Sequence, residues 1–376
     1  MNLIKRTIDY DKCNILNFRE YQYGLIMEII RLCFKYMETH GFVYNKSKYS
    51  EDVIDDIAYS SRHHFATKIV EIKINQRDTP FMKIAIPKLI EGQFFRLNGS
   101  LYIPQFYIID KPITIKKNSI SLYALFNSLT IYNSDGRIIF LGENIPISRF
   151  LRLYYEDDKD LKDVLDFLQV ENQMNEDMNT CLKNLSNTFG VPPIKEEIQK
   201  KIDSLFFDDW TLELYEECYG IKNATMTDIF NLIFKNKTIE NNTFIDINYK
   251  RLVFIEYLLA PLLKITAANV NKMVLENKVP QLMGTKLGNI ISYFFNDLKK
   301  ANRYDTVNGF SGIINLKANF RSPNAGKELP KEVSNVHTSF KHKICPITVS
   351  NTNPGESITL VPEQNLKSLK FGIFDV

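Results

Sequence analysis

The chain has 376 residues, 44% hydrophobic and 24% charged, with 26 Phe, 19 Tyr and a single Trp. That length and apolar content suffice for two or three cores and exclude a disordered, collagen-like or low-complexity chain. Forty-seven basic and 44 acidic residues leave a net charge of +3, so any nucleic-acid surface must be local rather than global.

Along the chain, residues 21–37 carry Leu25, Ile26, Ile29, Ile30, Leu32 and Cys33 at helical spacing. From residue 67 to 112 the runs ATKIVEIKI, PFMKIAIP, QFFRLNG and LYIPQFYII read as short strands, with Asn98-Gly99 as a hairpin turn. Residues 119–139 are again strand-like and turn at Asn133-Ser134-Asp135-Gly136. The acidic run 156–160 then opens a helical region that lasts to about residue 237. Within it, Ile198, Ile202, Leu205 and Phe206 share one helix face, and Thr225-Met226-Thr227-Asp228 spells a capping box. Asp246 is placed to cap a helix through RLVFIEYLLAPLL, with Pro261 bending or ending it, and Thr285 to cap another bearing Leu287, Ile290, Ile291, Phe294 and Leu298. The tail, GESITLVPEQNLKSLKFGIFDV, is strand-like and ends on apolar residues.

Chemical signatures are sparse. The five cysteines are scattered without a CxxC, which argues against zinc and against a disulfide framework and favours a reducing compartment. There is no signal-peptide core at the amino end and no run near the roughly 20 apolar residues of a membrane helix, so an intracellular protein is expected. His63-His64 has no second pair to complete a metal set. Asp157-Asp158 and Asp208-Asp209 suit either magnesium or the acidic start of a helix. Between Lys299 and Lys343 nine Lys/Arg face three acids, a net of +6 that exceeds the charge of the whole chain. Such a stretch suits phosphate neutralisation, or a solvated surface loop.

Several blocks resemble the β subunit of multi-subunit RNA polymerases. The run NVHTSFKHKICPI at 335–347 is similar to that family's DVHPTHYGRxCPI, and after a short insertion NPGESITL at 353–360 resembles its PEGPNIGL. Upstream, Tyr293-Phe294-Phe295 and Asp305-Thr306-Val307-Asn308-Gly309-Phe310-Ser311 echo EFF…DQxNPLS. Residues 86–105 resemble IPLMTxxGxFxxNGxExVxxxQ, residues 145–152 the xxPxTxxLRAL of the lobe, and residues 246–256 DHLGNRRVRxVGE, all in family order. The family's HKRR falls on Asn315-Leu316-Lys317-Ala318 and its TRERAGF arginines are largely replaced. The short, divergent chain is similar to the split large subunits of giant-bacteriophage polymerases.

The resemblance implies an α+β, multi-domain fold: protrusion from 1–105 and 245–300, a lobe inserted at 106–244, and a fork with the start of the barrel-connecting segment at 301–376. It implies DNA-templated RNA synthesis as one part of an assembly, with no catalytic residue in this chain and Mg2+ held by another subunit. Arg303, Lys317, Arg321, Lys327, Lys331, His337 and Lys343 are the implied nucleic-acid contacts, and Pro354, Gly355 and Glu356 border the nucleotide site. The implied partners are a C-terminal β fragment, β-prime chains, a promoter-specificity subunit, template DNA and RNA, in the cytoplasm of an infected bacterium or in the virion, with no membrane. The apolar end at Ile373, Phe374 and Val376 is expected to dock on another chain. The same alignment puts Asn315, Lys317, Ala318 and Phe320 where a rifamycin pocket would lie, with Phe320 crowding it, so indifference to rifamycins is expected. Two rival readings remain: a stand-alone nucleic-acid-binding protein, expected to bind DNA as a monomer, and a phage structural or interaction protein, expected to have no polymerase partners.

Overall fold

The structure, a computed structural model, describes residues 13–41, 106–170, 176–235, 246–276, 316–320, 336–345, 357–361 and 364–375, and the strand backbones at 49–60, 63–74, 82–87, 95–97, 100–103 and 302–303. The protein is mixed α and β. Among the described residues no helix is long and apolar enough to cross a membrane.

The first apolar stripe folds as two helices, α1 (Ile15–Gly24) and α2 (Ile26–Thr39). Asn14 starts α1 by accepting from the Asn17 amide at 3.0 Å. The break falls at Leu25, whose amide turns back to Gln22 and Tyr23 carbonyls. The helical periodicity then buries Ile26, Ile29, Ile30, Cys33, Phe34, Tyr36 and Met37 of α2. Strands β1 (Tyr49–Ser60), β2 (His63–Ile74) and β3 (Met82–Pro87) form an antiparallel meander. Sequence reading missed β1, whose YSEDVIDDIAYS is acidic yet pairs with β2 along its full length. In the next hairpin, β4 (Phe95–Leu97) and β5 (Ser100–Ile103) pair with Leu97 opposite Ser100, which leaves Asn98-Gly99 as the two-residue connection.

Strand β6 (Phe106–Asp110) leads into a contiguous unit. Its sheet is β7 (Ile113–Lys116), β8 (Ser119–Tyr123), β9 (Ser128–Tyr132), β10 (Arg137–Phe140) and β11 (Glu143–Pro146), in consecutive antiparallel order. Gly136, at φ +59°, closes the β9–β10 turn foreseen at 133–136. Six helices follow: α3 (Ile147–Leu151), α4 (Asp158–Phe167), α5 (Met178–Phe189), α6 (Lys195–Phe206), α7 (Asp209–Tyr219) and α8 (Met226–Phe230). The expected face of α6 is buried at Ile198, Ile202, Leu205 and Phe206, and the capping box at Thr225 and Asp228 is formed.

Strand β12 (Lys250–Val253) then returns to pair antiparallel with β6, Lys250 opposite Asp110 and Val253 opposite Tyr107. This corrects the helix expected after Asp246: that residue caps only the 3-10 turn Ile247–Tyr249, and the following residues are strand. β12 is buried throughout between two strands, and that pairing outweighs the helical spacing of its apolar residues. Helices α9 (Ile255–Leu258) and α10 (Ala260–Glu276) begin later. Pro261 therefore sits in the first turn of α10, where its missing N–H costs nothing, rather than ending a helix. The helix expected from Thr285 lies outside the described residues.

After the short strand β13 (Asn302–Arg303), β14 (Lys317–Phe320), β15 (Ser357–Thr359), β16 (Leu366–Ser368) and β17 (Ile373–Phe374) complete a six-stranded sheet in the order β15-β14-β6-β12-β17-β16. Successive residues of a strand face opposite sides, so Phe374 enters one core and Ile373 the other. One core holds Ile15, Phe18, Phe106, Ile108, Leu252, Ala318, Phe320 and Phe340. The larger one gathers α2, α10, the β7–β11 unit and Phe371.

The end of the chain departs from expectation. Ile373 and Phe374, expected to dock on another chain, are each 2% exposed against their own chain. Phe371 packs edge-on against Trp210, ring centroids 5.1 Å apart. Gly372, at φ +62°, offers its carbonyl to the Leu252 amide at 2.7 Å. Gln22 ties the far ends together: its Nε2 donates to the carbonyls of Leu369 and Lys370, and its Oε1 accepts from the Ile255 amide at 3.2 Å.

Candidate nucleic-acid interface

Of the basic stretch, the described strand residues fall in two sheets, Lys317 in the six-stranded one and Arg303 in the three-stranded sheet β13-β5-β4. Lys317 opens β14, opposite Thr359 of β15, and Arg303 lies in β13 opposite Tyr102 of β5. Arg321, Lys327, Lys331, Pro354, Gly355 and Glu356 lie outside the described residues.

His337 and Lys343 can be built up from their contacts. His337 caps the 3-10 turn Thr338–Phe340, its Nδ1 accepting from the Ser339 amide at 3.2 Å and lying 2.8 Å from the Ser339 hydroxyl. That hydroxyl in turn accepts from the Ile247 amide at 3.0 Å, which fixes this turn to the one capped by Asp246. With Nδ1 engaged as an acceptor, a neutral ring carries its proton on Nε2. Phe340 anchors the turn in the core, its ring centroid 5.8 Å from that of Phe320. The chain then reverses through His342, which has φ +62°. The Val361 amide takes the Lys343 carbonyl at 3.1 Å, and the Cys345 amide takes that of Thr359 at 2.8 Å. Lys343 Nζ donates to Asn248 Oδ1 at 3.2 Å. Burial lowers the Lys343 pKa, against the opposing pull of Asp246 and Asp375.

Two further cations belong to this surface and were not singled out from the sequence. Lys111 follows β6 and Lys367 lies in β16. Burial lowers the Lys111 pKa, Cys218 opposes that shift, and the charges of Lys367 and Lys343 add to it. Lys343 and Lys367 thus both act on Lys111, with Lys341 and His342 exposed alongside. Only the pairing of β6 with β12 and of β16 with β17 makes them neighbours, so no local pattern announces them. The patch can hold phosphates by charge and hydrogen bonding.

Asp157 and Asp208 are helix caps, accepting from the amides of Lys159 at 2.9 Å and Thr211 at 3.1 Å. Among the described residues no three His, Cys, Asp or Glu side chains converge as a metal site would need. Of the residues aligned with a rifamycin pocket, Ala318 and Phe320 are 0% and 5% exposed and face the core that holds Phe340, and Asn315 lies outside the described residues.

Neither a protein-family model nor a curated protein matches the chain.

Proposed function

We propose that the chain is the N-terminal part of a split β subunit of a multi-subunit, phage-type RNA polymerase, forming one wall of the nucleic-acid channel. The observation that carries the reading is the backbone at His342. When residues 335–347 are laid on the block DVHPTHYGRxCPI, the block's glycine falls on His342 and its arginine on Lys343. His342 has φ +62°, a conformation uncommon for residues other than glycine. A position that demands a glycine-like backbone thus coincides with the glycine of the motif, and the cation after it faces the patch with Lys111. A second support is the pairing of β6 with β12, which brackets the 113–235 unit as an insertion, as a lobe within a protrusion requires.

In this reading Lys343, Lys317, Lys111 and Lys367 track phosphates without reading bases. The metal ions of nucleotidyl transfer belong to a β-prime-like chain, and this chain's share is positional. Partners are the remainder of β, β-prime-like chains and a specificity subunit. The test is to tag the chain in infected cells, purify it and identify what accompanies it. Recovery with large polymerase chains, in a complex that makes RNA on a template while the isolated chain does not, is expected. Recovery as a monomer that binds DNA unaided, or with virion structural proteins alone, overturns the proposal in favour of one rival or the other.

A further inference from the structure

At the corner where the inserted unit leaves and rejoins the six-stranded sheet, lysines from three distant segments come together. Lys111 follows β6, and its amide donates to the Tyr249 carbonyl at 2.9 Å. The neighbouring Asn248 accepts from Lys343 Nζ at 3.2 Å. Lys367 stands on the exposed side of β16, and its Nζ donates to the Glu217 carbonyl at 2.8 Å, in the last turn of α7. Cys218, beside it, feels both sides of the corner: burial raises its thiol to about 11, against the pull of Arg251, Lys111 and Lys367. Lys343 and Lys367 thus meet only neutral oxygens. Among the described residues Lys111 Nζ meets no partner at all, and it is not sealed from solvent. Lys195, Lys250 and Lys370 show the alternative, each meeting a carboxylate. The acids that bear on Lys111 and Lys343 form no ion pair with them: Asp246 accepts from the Asn248 amide at 3.0 Å, and Asp375 is exposed. Like charges gathered in this way repel one another, and one multiply charged anion relieves all three.

We infer that Lys111, Lys343 and Lys367 form a discrete site for a terminal phosphoryl group, and that its occupancy clamps the C-terminal segment against the inserted unit. The inference rests on the phosphate-binding patch of the proposed function and adds to it a ligand and a consequence. A phosphodiester brings one charge per phosphate and is tracked along a groove. Three ammonium groups converging on one corner suit instead a terminal phosphate, with its charge of about −2, whether on a free anion or on the 5′ end of a strand. Lys367 belongs to β16, which pairs with β17, so a phosphate held there opposes the undocking of both strands.

The full chain is titrated by calorimetry with pyrophosphate, and with a short oligothymidine carrying or lacking a 5′ phosphate. Saturable pyrophosphate binding below about 1 mM is expected. Lys111→Gln and Lys367→Ala should each weaken it at least about fivefold. Lys35→Ala, which removes an exposed charge paired with Asp209 at the other end of α7, should leave it unchanged. The Leu366 and Gly372 amides, bonded to the Cys13 and Ser368 carbonyls, report the docking of the C-terminal segment. At pyrophosphate about tenfold above its dissociation constant, their hydrogen exchange should slow by about tenfold. Tighter binding of the phosphorylated oligothymidine than of its partner assigns the ligand to a strand end, and equal binding of the two assigns it to the free anion. No saturable pyrophosphate binding, equal losses in Lys35→Ala and Lys367→Ala, or unslowed exchange would each overturn the proposal. If Lys111→Gln fails to fold, the exposed Lys367→Ala variant decides alone: unchanged affinity refutes. Intact pyrophosphate binding by a chain recovered without polymerase partners would sink the polymerase reading and leave this site standing.

Discussion

Gly372→Ala is the sharpest probe of the C-terminal docking. A Cβ on Gly372 would stand 2.1 Å from the Leu252 carbonyl oxygen and 2.9 Å from both its carbon and its Cβ. The obstacle is backbone at the centre of a sheet, so no side chain can rotate away. Restoring ordinary contact at 3.4 Å needs a shift of roughly 1 Å, enough to break the 2.7 Å bond from the Leu252 amide to the Gly372 carbonyl. That bond contributes about 1 kcal/mol. The left-handed backbone at φ +62° costs an alanine about another 1–2 kcal/mol. Some exposure of Phe371, Ile373 and Phe374 follows, and full loss of each would cost about 1.5–3 kcal/mol. The expected total is about 2–4 kcal/mol, since the turn shifts rather than leaves. Urea unfolding followed by Trp210 fluorescence measures it, with Gly24→Ala as control, because nothing lies within 4 Å of a Cβ there. A loss below about 1 kcal/mol for Gly372→Ala would refute the placement of β17 against β12.

Lys250→Met strands the Asp110 carboxylate beside a buried strand and should cost about 3–5 kcal/mol, whereas the double change with Asp110→Leu should recover most of it; parallel denaturation of both variants checks this. Burial pushes the Asp208 carboxyl from 3.8 up to about 6, so the folded chain holds that proton more tightly than the unfolded one. The contribution is fully present below about pH 4 and is lost as pH rises through about 6. Asp208→Asn, which keeps an acceptor for the Thr211 amide, should flatten stability over that window relative to wild type; parallel profiles would contradict the assignment. Lys343→Ala should lower the slope of log K against log salt for template binding by up to about 0.9. An unchanged slope would leave Lys343 with Asn248 alone.

What the sequence disclosed and what it concealed divide along range. Local devices were legible: Asn98-Gly99, Gly136, the Thr225 capping box and the α6 face each depend on residues within a turn or two. Concealed features depend on distant partners. RLV at 251–253 reads as part of the helix that Asp246 would cap, yet its place between β6 and β17 makes it strand. β1 is too acidic to look like a strand and is drawn into one by β2. The apolar end looked like a docking edge because Trp210 and β12, its actual partners, lie more than a hundred residues upstream. At the candidate site Lys343 and His337 stood in a visible basic run, while Lys111 and Lys367 could be recognised only once the sheet was assembled.

The six-stranded sheet also dictates an order of events during synthesis. The unit between β7 and α8 is contiguous, so its sheet contacts are short in sequence and form early, while its core also takes in α2 and α10. The six-stranded sheet cannot form so soon: β6 must wait for β12, then for β14 and β15, and finally for β17, which pairs Ile373 with Arg251. Gln22 reaches its acceptors at Leu369 and Lys370 across a separation of 347 and 348 residues. Loop closure over such spans is slow, and until then the edges of β6 and β12 stand unpaired. Refolding of the full chain should therefore show a fast phase from the insertion and a slow one from the sheet, with chaperone dependence confined to the second.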